Sequence, residues 1–400
     1  MESVRSTPGG NGKANLVESN ASPLIEISDA LVIGAGPAGL AAAAALQEAG
    51  IRTVVLEKEE KVGNAWRHHY DRLHLHTVKH FSHLPYKPYP KDYPRYVSRE
   101  QFVKYLEDYA KEFRIRPRFG ETVLTVRMNR GKWEARTQSG VYRANYLVVA
   151  SGYNHQPNMP GFPGEDHFGG TILHSSQYKN GSEFSGKKVL VVGCGNSGSE
   201  IAIDLAEHGA EPGLVIRSPI HVVPRDMNGV PNQVNAILLD HLPLSIADAI
   251  AVRILKLYNG DLTPYGIRLP EIGPNRQIKE FGRVPLLDIG TVDLIKKGRI
   301  TVYPGIERLT EKGVVFVDGR EKPFDALVYA TGYKARLDRF LEDADKLTDS
   351  RGYPVAHGRE TSMPGLFFIG FRNPTTGALR EMNIEAQRVA RIIGERFHRR

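Results

Sequence analysis

Two glycine clusters have the composition and the intervals to hold a phosphate. Gly34-Ala35-Gly36-Pro37-Ala38-Gly39 comes after the apolar run Leu31, Val32, Ile33 and opens an alanine-rich stretch. Gly193-Cys194-Gly195-Asn196-Ser197-Gly198 comes after Lys188-Val189-Leu190-Val191-Val192 and opens a stretch carrying Ile201, Ala202, Leu205 and Ala206. Both read as strand, turn, helix. In such a turn the first glycine permits the tight bend, the second lets backbone approach a pyrophosphate, and the third lets helix and strand close on each other. The anion then sits on unpaired helix N–H groups. The residue that closes the next strand distinguishes the two sites. Glu57 closes the strand Thr53–Leu56, where a carboxylate accepts from a ribose diol. Arg217-Ser218 closes Leu214–Ile216, where a guanidinium suits a 2'-phosphate bidentately. Two different dinucleotides are implied, with FAD at the acidic site and NADPH at the basic one. We take Gly34, Gly36, Pro37, Ala38, Gly39, Glu57, Lys58, Trp66, Arg67 and Val123 as contacts to the first, and Gly193, Gly195, Asn196, Ser197, Gly198, Arg217, Ser218 and His174 as contacts to the second.

The strands and helices around these turns predict an α/β protein with two Rossmann-like dinucleotide-binding domains, the second inserted in the first. The expected division is a disordered tail over 1–27, an FAD-binding domain over 28–168 and 324–400, and an NADPH-binding domain over 169–323. Ala326–Tyr333, a strand ending in a small-residue turn like Ala150-Ser151-Gly152, is taken as the return to the first domain. Ser98-Arg99-Glu100-Gln101 is a capping box, and Phe102, Leu106, Tyr109 and Phe113 succeed it at helical spacing. Short alternating runs at Val123–Val126, Trp133–Thr137 and Tyr146–Val149 predict strands, and a last helix begins near Ala378.

A chain of 400 residues, 41% hydrophobic and 24% charged, has ordinary globular composition and enough length for two cores. Its net charge of +8 comes from scattered residues with no recognised nucleic-acid module, so nucleic acid is not expected as a partner. The single cysteine, Cys194, excludes an intramolecular disulfide and a C-x-x-C redox pair. It reads as packing and points to a reducing, cytoplasmic setting. The uncharged run Ala30–Gln47 reads as buried strand and helix, and no transmembrane segment is expected. Peripheral membrane contact stays open, as does monomer against homodimer.

Several stretches admit two readings. Trp66 is either a core anchor or a wall against a ligand ring. The six histidines from His68 to His83 lack the orienting carboxylates of a metal site, and we expect no metal. His74 and His76 alternate as on a strand and share a face. Val234–Tyr258, hydrophobic on more than one face, is read as a lid over the active site in preference to a membrane-contacting piece.

Phe168-Gly169-Gly170-Thr171-Ile172-Leu173-His174-Ser175-Ser176-Gln177-Tyr178 fits the pattern F-x-G-x-x-x-H-x-x-x-Y directly before the second turn, and Ala330-Thr331-Gly332-Tyr333 fits A-T-G-Y. These resemble the flavin-containing monooxygenases. Tyr70–His76, Val284–Thr291 and Val302–Ile306 resemble their YUCCA-type members, and the likeness covers roughly Asp29 to Arg396. The resemblance implies an NADPH- and FAD-dependent monooxygenase that activates O2 as a flavin C4a-(hydro)peroxide and decarboxylates an aryl 2-oxo acid such as indole-3-pyruvate to indole-3-acetate. His76, standing where animal-type members place an asparagine, is the candidate catalytic residue; the alternative is a core histidine. Arg72 and Arg380 are candidate partners for the substrate carboxylate. Two other functions stay open: N- or S-oxygenation of a small soft nucleophile, and NADPH-linked electron transfer to a partner protein.

Overall fold

The computed structural model describes residues 24–154 and 156–399. Leu24–Ile33, longer than its apolar run, pairs in parallel with Thr53–Leu56 on one edge and along its whole length with Gly140–Val149 on the other. Residues 24–27, expected in the tail, therefore belong to this strand; the rest of the expected tail lies outside the described residues. Gly140–Val149 divides its second edge. Its first half takes the antiparallel pair Lys132–Arg136 and Thr125–Asn129, and its end takes the parallel strand Leu366–Phe368.

A second, all-parallel sheet runs in the order Thr301–Tyr303, Glu211–Val215, Lys188–Val192, Ala326–Tyr329, Thr171–His174. Ala326–Tyr329, expected at the return to the first unit, instead lies inside this sheet between Lys188–Val192 and Thr171–His174. All four of its residues are buried, which is why it reads as an unbroken apolar run. The chain returns to the first sheet with Leu341, which bridges Val126, and adds its next strand there with Leu366–Phe368. Thr171–His174, inside a Pro- and Gly-rich stretch, forms the edge strand because Tyr329 and its neighbours supply its ladder.

Helix Pro37–Glu48 is alanine-rich because it is buried all round, in a core shared with Phe102, Leu106 and Tyr109 of Arg99–Glu112 and Val389 and Ile393 of Ala378–Phe397. Small side chains let three helices pack closely on one sheet face. The Ser98 hydroxyl accepts from the Gln101 N–H at 3.2 Å, and the Gln101 side chain accepts from the Ser98 N–H at 3.2 Å, so the expected capping box is present. Among the described residues no helix is long and apolar enough to cross a membrane.

One carboxyl group sits uneasily in this core. Glu385 accepts from the Gly370 N–H at 3.0 Å through Oε2, while Oε1 is buried without a partner among the described residues. Burial raises its pKa to about 7. The native state thus keeps this proton to higher pH than the unfolded chain does, and stability falls as pH rises from the ordinary carboxylate range through 7. Glu385→Gln removes that penalty: in denaturant unfolding at pH 8 the variant should be about 2–3 kcal/mol more stable than the parent, with the gap shrinking toward pH 5. An equal gap at both pH values would show that Glu385 does not titrate in this window.

Candidate active site

The two glycine turns are built alike, atom for atom. Gly34 and Gly193 take positive φ, +104° and +108°, and a Cβ on either would lie 2.6 or 2.7 Å from a carbonyl oxygen, that of Ala150 or Ala330. At Gly39 and Gly198 a Cβ would fall 1.8 or 1.9 Å from the Gly34 or Gly193 oxygen. These glycines are required by the chain itself. Gly36 and Gly195 are different: a Cβ there would meet nothing within 4 Å, and the φ values of −76° and −92° suit any residue. No side chain caps either helix that begins there. Uncapped N–H groups beside open space are what a bound pyrophosphate requires, so both turns fit a dinucleotide.

Glu57 is buried beside the first turn, its two oxygens accepting from the Ala35 N–H at 2.7 Å and the Glu59 N–H at 3.1 Å. Burial raises its pKa, and those two bonds work in the opposite direction. Both it and Lys58 line a cavity of ≈ 920 Å³ that runs between the sheets, bounded by Gly34, Gly36, Pro37 and Ala38 on one side and Asn196 and Ser197 on the other. The volume is that of a large ligand site. Trp66 packs edge-on against Phe102 with centroids 4.5 Å apart and also lines the cavity. His76 lines it too.

Three expected contacts lie off the cavity wall with other partners, and a fourth, Asn196, is on the wall with its side-chain oxygen bonded to backbone. Arg67 is turned to Glu107 at 2.6 Å and to the Val62 carbonyl at 3.2 Å. Val123 packs on the core of the first sheet. His174 is buried, with its ring nitrogens on the Ser176 hydroxyl and the Gly332 carbonyl, each at 3.0 Å, so it braces the Ala330–Tyr333 turn and does not face the cavity. The Asn196 side chain accepts from the Leu287 N–H at 3.0 Å. Arg217 stands exposed after Glu211–Val215 with Ser218 beside it, off the cavity wall and with no carboxylate at ion-pair distance among the described residues. Cys194 is buried and its thiol pushed up to about 12, which suits packing and not nucleophilic attack.

The two arginines expected to meet a substrate carboxylate are also taken. Arg72 pairs with Glu207 at 2.8 Å and Arg380 with Glu381 at 3.1 Å. A second cation on the cavity wall, besides Lys58, is Arg225, missed in the sequence because only the fold brings it near the histidines. Its guanidinium stacks on the Tyr96 ring at 4.0 Å and its Nε bonds Asp226 at 3.3 Å. Beyond it Leu238, Leu239, Ile250 and Ile254 form an apolar wall, from helices Asn232–Leu239 and Leu244–Asn259. Gln233 anchors the first of these by accepting from the Val78 N–H at 2.8 Å and donating to the Thr376 carbonyl at 2.7 Å. Another missed group is His69, also on the cavity wall, where burial lowers its pKa to about 4 and keeps the ring neutral.

A pyridine nucleotide-disulphide oxidoreductase model matches residues 31–229. The indole-3-pyruvate monooxygenase YUCCA1 of Oryza sativa subsp. japonica is 42% identical, over 86% of this chain and 87% of its own length. A probable indole-3-pyruvate monooxygenase, YUCCA1 of Arabidopsis thaliana, is 39% identical over 94% of this chain and 91% of its own. Among solved structures, a flavin-containing monooxygenase from Stenotrophomonas maltophilia has a TM-score of 0.72 at 22% identity, covering 93% of this chain and 99% of that one. Cyclohexanone monooxygenase from Rhodococcus sp. Phi1 bound to NADP+ has a TM-score of 0.73 at 22% identity, covering 94% of this chain and 85% of that one. These two share the fold.

The glycine geometry predicts opposite behaviour for neighbouring substitutions. Gly36→Val should fold with an unchanged melting temperature in the flavin-free state yet purify with little FAD, because its side chain enters only the space a pyrophosphate needs. Gly39→Ala should fail at folding itself, since a methyl group meets backbone. A folded, fully yellow Gly36→Val protein would remove the first turn from the cofactor site.

Proposed function

The chain belongs to the YUCCA family of flavin-dependent monooxygenases, and on that premise we propose that it converts indole-3-pyruvate, or a close aryl 2-oxo acid, to the corresponding acetate. The overall change consumes one O2 and one NADPH with a proton; one oxygen atom enters the product, the other leaves as water, and the carboxyl group leaves as CO2. Bound FAD, reduced by NADPH, would supply the activation of O2.

The observation that carries the substrate reading is a single cavity that reaches from both nucleotide turns to one arginine and an apolar wall. Arg225 is the cation for the substrate carboxylate, held by the Tyr96 ring so that its fork stays oriented. Leu238, Leu239, Ile250 and Ile254 suit an aryl group and exclude water from it. Asn232–Leu239 and Leu244–Asn259 act as the cover over this end, supported by their place on its wall. His76 faces the reacting edge, supported by its place on the wall of the cavity that the first turn and Arg225 also line. Arg217 and Ser218 select NADPH, supported by their place at the end of the second strand and by the absence of an ion-pair partner for Arg217 among the described residues. A single buried cysteine fits a reducing compartment such as the cytoplasm.

Supplied with NADPH, oxygen and indole-3-pyruvate, the enzyme should form indole-3-acetate, and a parallel panel of tertiary amines and thioethers should yield no oxides by mass. In Arg225→Ala the KM for indole-3-pyruvate should rise about ten- to a hundred-fold with the KM for NADPH little changed. Oxides without acetate would make the soft-nucleophile reading correct. Arg217→Ala should lose about ten- to a hundred-fold in NADPH affinity and little for NADH. Equal losses for both would assign Arg217 to folding.

A further inference from the structure

Glu200 lies on helix Asn196–Glu207, one turn beyond its N-terminus, with only 1% of its surface exposed. Its Oε1 receives two groups from the other unit: the Nε2 of His76 and the Tyr70 hydroxyl, the latter at 3.2 Å. A carboxylate has no hydrogen to give, so the Nε2 must carry the proton. Burial and the neighbouring Glu200 hold the Tyr70 phenol pKa well above its usual value, so its proton stays on as well. The imidazole is thereby held with its Nε2–H toward Glu200, and its Nδ1 meets no hydrogen-bond partner among the described residues.

This carboxylate is far more enclosed than its surroundings demand. A residue in the last turn of the same helix, Glu207, is exposed and answers the Arg72 guanidinium across the same gap, so an external salt bridge already joins the units. A second cavity of ≈ 250 Å³, lined by Arg72, His74, His76, Glu200, Glu207, Arg225 and Ile289, reaches the same cluster. A buried acid that bonds one histidine and one tyrosine is costly to bury unless every proton is placed, which here it is.

We propose that Glu200 is a positioning residue: it locks the His76 ring in the Nε2–H tautomer and ties it to the helix that opens on the second nucleotide turn. This rests on the reading that His76 faces the reacting edge of the flavin. The consequence is that the orientation of His76 is set by the unit that binds NADPH. Substrate recognition, carried by Arg225, is separate.

The first test is ¹⁵N-histidine NMR of the FAD-loaded wild-type protein, with the His76 signal assigned by its loss in His76→Ala. An Nε2–H, Nδ1-acceptor pattern is expected, and it should become a mixed-tautomer pattern in Glu200→Ala and be retained in Glu200→Gln, whose amide oxygen still accepts from both partners. The second is hydrogen peroxide released per NADPH oxidised without any organic substrate, a readout that does not depend on the identity of the substrate. Glu200→Ala should raise that release and, in turnover with substrate, cut product per NADPH about tenfold, Glu200→Gln should restore most of it, and Glu200→Ala combined with His76→Ala should be no worse than His76→Ala alone. An Nδ1–H pattern in the wild type, no rescue by Glu200→Gln, or multiplied effects in the double variant would overturn the proposal. If the NMR and peroxide results hold while indole-3-pyruvate is not turned over, the substrate reading alone has failed.

Discussion

The close approach of a helix to the strand before it, made twice, is the constraint on which this molecule depends. At Gly39 and again at Gly198 no atom fits between the helix backbone and the carbonyl of the turn's first glycine. This contact aims the uncapped start of each helix at open space beside Gly36 and Gly195. The same constraint sets the crossing strands, since the Ala150 and Ala330 carbonyls press on Gly34 and Gly193 in the same way. Everything else at the site is arranged around these two openings.

Between the openings the protein adds groups of differing burial to decide what is held and where. Glu57 is sequestered and bonded by backbone N–H groups, whereas Arg217 is left on the surface. His76, Tyr70 and Glu200 form a buried link across the gap, and Arg225 stands where the polar part of the cavity meets an apolar wall. A cavity that is polar at the nucleotide end and apolar at the far end can hold a charged aromatic acid with its carboxylate inward and exclude water from the ring.

Much of this was legible in the sequence because it is local. Turn glycines, the acid after one strand and the arginine after the other, the Ser98–Gln101 cap and the buried alanine helix arise from short-range spacing. What was not legible is long-range. Arg225 and Glu200 gain their roles from residues more than a hundred positions away, Tyr96 and His76, and nothing near them in the chain signals it. Arg72 and Arg67 carried the right charge, but each has a carboxylate partner that only the fold supplies, and Arg380 pairs with Glu381 beside it in the chain. Ala326–Tyr329 looked like a closing strand because it ends like Val149-Ala150-Ser151; its true place comes from pairing with Lys188–Val192, since matching turns serve both sheets.

Whether both nucleotide turns serve one oxygenation in one cavity is tested most directly by isotope. With purified enzyme, NADPH, ¹⁸O2 and indole-3-pyruvate, the expected product is indole-3-acetate carrying one ¹⁸O atom in its carboxylate, with one NADPH consumed per acetate formed. Unlabelled acetate, or NADPH consumed with all of the label recovered as hydrogen peroxide, would contradict it.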